Sequence, residues 1–184
     1  MYDFQKLAID GLLLVQLSAK HDDRGFFVEW FRRSEFTRAA GPMTFVQDNY
    51  SRSNPGVLRG LHYQYSPAQG KLVGVTRGKI WDVAVDLRPQ SKTFGESFGC
   101  ELSDDNSKLL WIPPGFGHGF VVTGSSPADV LYKTTAEYNP EGEGGIVWND
   151  PELAIKWPLR DAKLSQRDKE LPTFATYRQH PPNW

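Results

Sequence analysis

The chain has 184 residues, 39% of them hydrophobic, and a formal net charge of -1 from 21 Lys and Arg against 22 Asp and Glu. Such a length and composition fit one domain, expected over 1–184, with enough apolar residues for a real core. The near-neutral balance gives no electrostatic reason for a nucleic-acid or membrane partner, one cysteine (Cys100) excludes an internal disulfide, and histidines at 21, 62, 118 and 180 have no zinc-finger spacing.

Short strand-like runs follow one another: LLLVQL (12–17), FFVEWF (26–31), TFVQDNY (44–50), VLRGLHYQ (57–64), KLVGVT (71–76), KIWDVAVDL (79–87), SFGCEL (97–102), KLLWIP (108–113), GFVVT (119–123) and VLYKTT (130–135). Gly, Pro, Asn, Asp and Ser punctuate them, the pattern of an all-β sandwich or barrel. Two short helices are expected, SEFTRAA with Ser34 as N-cap and LSQRDKEL with Ser165 as N-cap. After Gly144 the chain runs into WNDPELAIKWPL and a Pro-rich tail, expected to wrap over the sandwich. The apolar run GLLLVQL follows Asp10 and lacks a cationic lead and a small-residue cleavage site, so a cytoplasmic protein is expected.

His62 is the first candidate for chemistry, because histidine is the side chain most easily set to move protons near neutral pH. A lone strand histidine is more often structural, so it needs a partner; Asp168 in LSQRDKE could orient its ring, although a solvated helix residue reads the same way. Tyr132 in VLYKTT and Lys71 in KLVGV have ordinary readings as a packing residue and a strand end. Together, a base, an acid and an ammonium suit proton abstraction beside a carbonyl. His118, in the turn-rich PPGFGHGF, could be a metal ligand, a ligand contact or a turn residue; the missing His-x-His around His62 and Gln64 weakens the metal reading. Arg24, Glu29, Gln47 and Asn49, set among aromatics, serve equally as edge protection or as a site for a heterocycle and phosphate. Arg59 and Arg167 are guanidiniums suited to a diphosphate or to surface solubility. Strict alternation in VLRGLHYQ puts Arg59 and His62 on opposite faces, so their joint use requires a bend or bulge near Gly60.

DRGFFVE, FVQDNYS, GVLRGLHYQ, QGKLVGVTRGKIWDVAVDLR, LWIPPGFGHGFVV, YKTT, EGGIVWNDPELAIKWP and LSQRDK, in this order, resemble the dTDP-4-dehydrorhamnose 3,5-epimerase family from about residue 3 to about residue 170. The resemblance implies a cupin-like jelly-roll β-sandwich that works without metal or other cofactor, with PPGFGH a relic of a metal-binding motif. It implies a dTDP-4-keto-6-deoxyhexose substrate inverted at C3 and C5 through an enolate. His62 would be the base paired with Asp168, Tyr132 the acid across the ring, and Lys71 the cation on the enolate oxygen. Arg24, Glu29, Gln47, Asn49, Arg59, His118, Glu143 and Arg167 would be ligand contacts. Tyr50 stands where many members carry histidine, and Arg167 where lysine is common. A homodimer with a shared active site is implied, with Arg24 and Glu29 as the shared element. The tail from about 171 to 184, His180 and Cys100 receive no role. Competing readings are a single-centre epimerase, a non-catalytic sugar-nucleotide-binding cupin and a metal-dependent cupin oxygenase.

Overall fold

The computed structural model describes residues 2–184. β1 (Tyr2–Lys6) and β2 (Leu13–Leu17) precede a hairpin of β3 (Lys20–Asp22) and β4 (Gly25–Phe27), then α1 (Arg33–Ala40). β5 (Gln47–Ser53), β6 (Leu58–Gln64), β7 (Lys71–Arg77), β8 (Lys79–Asp86), β9 (Ser97–Ser103), β10 (Lys108–Ile112), β11 (Phe116–Val122) and β12 (Ala128–Thr134) follow. A 3-10 turn at Pro140–Gly142 leads into β13 (Glu143–Gly145), and α2 (Gln166–Lys169) and α3 (Phe174–Gln179) close the chain. The strands form two antiparallel sheets, β1-β2-β10-β7-β12-β5 and β13-β6-β11-β8-β9, stacked as a sandwich.

Alternation along the strands builds three apolar layers. In β10, Leu110 and Ile112 enter the core between the sheets, where Val73, Val75, Ile80, Ala84, Phe120 and Val130 meet them. Leu109 and Trp111 point the other way and are covered by Phe36 of α1 and by Trp30, Phe31 and Phe45. On the far face of the second sheet, Leu61, Val83, Val85 and Leu87 are covered by Ile146, Leu153, Phe174 and Tyr177. The central strands β7, β8, β10 and β11 are therefore largely buried on both faces, which is why they read as near-continuous apolar runs.

Three expectations are corrected. Of 26–31, only Phe26 and Phe27 lie in a strand; Val28, Trp30 and Phe31 are apolar because they pack on the first sheet, with Trp30 over Gly74, and they form no ladder there. α1 is preceded by Arg32 as N-cap rather than Ser34, with no side-chain cap bond. Phe36, fully buried against Phe4 and Phe31, anchors that helix, so packing rather than a hydroxyl sets its start. Truncating that ring should cost about 3–5 kcal/mol. α3 was not expected: Thr173 caps it, and the Tyr177 hydroxyl and Trp184 indole N–H both donate to the Leu87 carbonyl, at 2.6 and 3.2 Å. The tail thus wraps over the sandwich in an ordered way. Ser165 caps α2, accepting the Asp168 N–H at 3.1 Å.

Candidate active site

A cleft of about 520 Å³ opens between the sheets. Its walls come from β5, β7 and β12 on one side, β6 and β11 on the other, and the segment 163–168 at the mouth.

The position of β6 is decided by two glycines. Phe120 stands opposite Arg59 and His118 opposite His62, so Gly60 and Leu61 together span the single residue Gly119. This bulge turns Arg59 and His62, three residues apart, toward the same face as Phe120 and His118, and all four line the cleft. Gly60 has φ +121°, and a Cβ there would lie 2.5 Å from the Gly119 Cα. Only glycine meets both demands. The face conflict written into RGLHYQ is resolved as expected, by an irregularity at Gly60.

His62 Nε2 lies 2.6 Å from Asp168 Oδ1, with the Asp168 side chain 5% exposed and that of His62 25% exposed. Burial alone would raise the Asp168 carboxyl; the hydrogen bond and charge of His62, the Ser165 hydrogen bond and Arg167 outweigh it and hold it below the ordinary carboxylate range. With Nε2–H donating to that carboxylate, the other ring nitrogen keeps the lone pair that can take a proton. A second pair lies deeper: His118 Nε2 is 2.8 Å from Asp82 Oδ1, both side chains buried. Asp82 Oδ2 is buried and has no hydrogen-bond partner among the described residues.

Lys71 and Tyr132 come from the opposing sheet. Tyr132 sits opposite Val73 and Thr134 opposite Lys71, so alternation puts Lys71 and Tyr132 on the inward face. Lys71 keeps some contact with water, yet burial pushes its ammonium down to about 8, against the pull of Glu143 and Asp82 in the other direction. Burial raises the Tyr132 phenol; Arg59 lowers it and Glu143 raises it further, and the net direction is upward, so the proton is retained at neutral pH.

Arg167 also lines the cleft, with its guanidinium 2.7 Å from Glu143, which accepts the Tyr138 hydroxyl at 3.0 Å. Glu143 is thus at the rim rather than in the wall. Gln47 and Asn49 face inward beside Thr134 and Tyr132 on β5, but they bond each other at 2.9 Å, and Gln47 Oε1 accepts the Tyr138 N–H at 2.9 Å. Neither lines the cleft. Arg24 and Glu29 are elsewhere: Arg24 pairs with Asp22 in the β3–β4 hairpin at 2.5 Å with 85% of its side chain exposed, and Glu29 pairs with Arg32 at 2.5 Å. Sequence reasoning missed Ser51, Asp82 and Lys163. Ser51 lines the cleft with a buried hydroxyl that has no partner among the described residues. Its signal was the alternation of QDNYS, in which Gln47, Asn49 and Ser51 share a face. Among the described residues no three His, Cys, Asp or Glu side chains converge as a metal-ligand set, and no helix is long and apolar enough to cross a membrane.

A base with its orienting carboxylate, an ammonium and a protonated phenol on facing walls can move protons beside a carbonyl. The family model described as dTDP-4-dehydrorhamnose 3,5-epimerase matches residues 6–176. The chain is 55% identical over 172 residues to the dTDP-4-dehydrorhamnose 3,5-epimerase of Pseudomonas aeruginosa, covering 92% of this chain and 94% of that one. It is 50% identical to the enzyme of the same name from Escherichia coli, over 90% and 91% of the two chains. The crystal structure of dTDP-6-deoxy-D-glucose-3,5-epimerase from Legionella pneumophila in complex with dTDP-4-keto-L-rhamnose superposes with a TM-score of 0.95 at 43% identity, covering 100% of this chain and 99% of that one. The cupin-type sandwich and the order of the motifs agree with these matches, and the chain belongs to the dTDP-4-dehydrorhamnose 3,5-epimerase family.

Proposed function

We propose that the 3,5-epimerase activity of this chain resides in the cleft between the sheets and converts dTDP-4-dehydro-6-deoxy-D-glucose to dTDP-4-dehydro-L-rhamnose. One observation carries the reading: His62 and Tyr132 come from opposite sheets and line the same cleft, so a sugar ring between them presents one face to each. His62, oriented by Asp168, removes the proton from a carbon next to the C4 ketone. The electron pair moves into the ring C–C bond and onto the ketone oxygen, where Lys71 stabilises the enolate charge. Tyr132 then delivers its proton to the opposite face of the same carbon, and imidazolium and phenolate exchange protons with water before the next event. C3 and C5 both flank C4, so one base and one acid serve both centres. Arg59 and Arg167 suit the diphosphate, His118 forms part of the wall and Glu143 the rim; Gln47 and Asn49, which do not line the cleft, receive no ligand contact within one chain.

The reading includes a homodimer. Phe26 and Phe27 are 61% and 71% exposed on the second strand of the β3–β4 hairpin, whose tip carries Arg24. Such a hairpin is suited to entering the cleft of a second copy, bringing Arg24 and Glu29 to a site that lacks them within one chain. Mixing inactive Arg24→Ala and His62→Asn proteins should then restore part of the activity, and no recovery would rule out the shared site. The cytoplasmic setting expected from the sequence belongs to this proposal.

The deciding experiment is incubation with the 4-keto-6-deoxyglucose nucleotide in deuterated water. Deuterium at both C3 and C5 supports the double epimerisation; label at one carbon alone would make this a single-centre epimerase, and no label would remove the catalytic reading.

A further inference from the structure

The segment that carries Asp168 is pinned to the sandwich at Lys163. Its N–H donates to the Gly56 carbonyl at 2.8 Å and its carbonyl accepts the Leu58 N–H at 3.0 Å, a parallel bridge at Val57. The backbone is therefore fixed beside the start of β6, next to Arg59. The side chain is not. Lys163 is exposed, lines the cleft, and rests its ammonium on the neutral Pro55 carbonyl at 3.3 Å, long for a hydrogen bond. Among the described residues no carboxylate lies within ion-pair distance of Lys163, Arg59 or Lys71. Arg59 is held through Nε by the Ser53 hydroxyl at 2.9 Å, leaving its terminal amino groups available. Three unpaired cations around one cleft, in a chain whose net charge is -1, call for an anionic ligand.

We infer that Lys163 is a diphosphate-binding residue: on substrate entry its ammonium leaves the Pro55 carbonyl and donates to a phosphate oxygen alongside Arg59, while Lys71 attends the sugar. This rests on the epimerase reading above and adds a cation that the sequence motifs did not indicate. The flexible stem permits the swing, and the fixed backbone limits its reach to the mouth of the cleft. The contact is charge-assisted but exposed, so salt screens it and its effect is moderate. It is made equally with substrate and transition state, so it acts on KM rather than on kcat.

The test compares wild type with Lys163→Met and Lys163→Arg, using dTDP and thymidine as calorimetric probes alongside steady-state kinetics. Lys163→Met should weaken dTDP binding and raise KM by about tenfold, with kcat within about twofold and thymidine binding unmoved. The salt dependence of dTDP binding should flatten, and Lys163→Arg should restore both. Equal melting temperatures exclude a folding effect, as expected for an exposed side chain. Unchanged dTDP affinity and KM in Lys163→Met would overturn the assignment, as would a fall in kcat with KM constant, which would mean that residue 163 acts on the wall holding Asp168. Failure of the wild-type protein to bind dTDP would instead overturn the functional reading itself.

Discussion

Two histidine–aspartate pairs border the same cleft, and they differ in what surrounds them. His62 is 25% exposed and takes its carboxylate from a short helix capped by Ser165, outside the sheet. His118 is 7% exposed and takes its carboxylate from the neighbouring strand, where Asp82 stands opposite Phe120 and Ala84 opposite His118. The first pair can exchange a proton with a ligand or with water. The second is locked into the ladder, where it stiffens the wall and supplies negative charge that favours the protonated form of Lys71. Identical side-chain pairs thus receive different work from exposure and from the element that carries the acid.

The sharpest way to break this contrast is His62→Asn, which keeps a donor for Asp168 but has no base. Turnover should fall by about 10²- to 10⁴-fold, with a denaturation midpoint close to wild type. A variant that retains kcat would end the assignment of His62 as base. Tyr132→Phe should lower inversion by about 10²-fold while deuterium still enters the starting sugar, because abstraction survives and delivery to the opposite face does not. Loss of exchange together with inversion would place the tyrosine on the abstraction side. Asp82→Ala should act chiefly on folding: it leaves the buried His118 ring without its partner and should cost roughly 1–3 kcal/mol in urea unfolding. The same change removes a charge that raises the Lys71 ammonium, so the alkaline limb of kcat/KM should move to lower pH.

The smallest effect is in the wild-type pH profile. Below about 8 Lys71 carries its charge, and above it kcat/KM should fall by up to about tenfold per pH unit. Stability should move the opposite way. In the unfolded chain the lysine holds its proton up to its ordinary value near 10.5, so between about 8 and 10.5 the unfolded state binds more protons and the contribution of Lys71 to stability rises with pH. Parallel loss of activity and stability through that window would point to a different group.

Much of this was legible from local pattern. The runs at 71–76, 79–87 and 130–135 overlap β7, β8 and β12, because turn residues bound them and apolar side chains fill much of both faces. Ser165 was recognisable as a cap because a hydroxyl two or three residues ahead of a free N–H is a short-range device. The run FFVEWF was misread, since burial against a sheet produces the same apolar letters as membership of one. α3 was hidden in a Pro-rich tail, where Phe174 and Tyr177 reveal their purpose only against Leu87 and Asp150.

By itself the sequence determined the two-sided strands, the motif order that marks the family, and the requirement for an irregularity at Gly60, all consequences of spacing along the chain. Tertiary structure decided which distant groups meet: Asp168 reaches His62 across 106 positions, Asp82 reaches His118 across 36, and Lys163 is pinned beside Arg59 by a bridge to Val57. Contacts of that separation depend on how the sheets stack and where the tail crosses them, and no local periodicity encodes either. RGLHYQ joins the two levels, because the glycine is written in the chain while the bulge it permits exists only against Gly119 of the neighbouring strand.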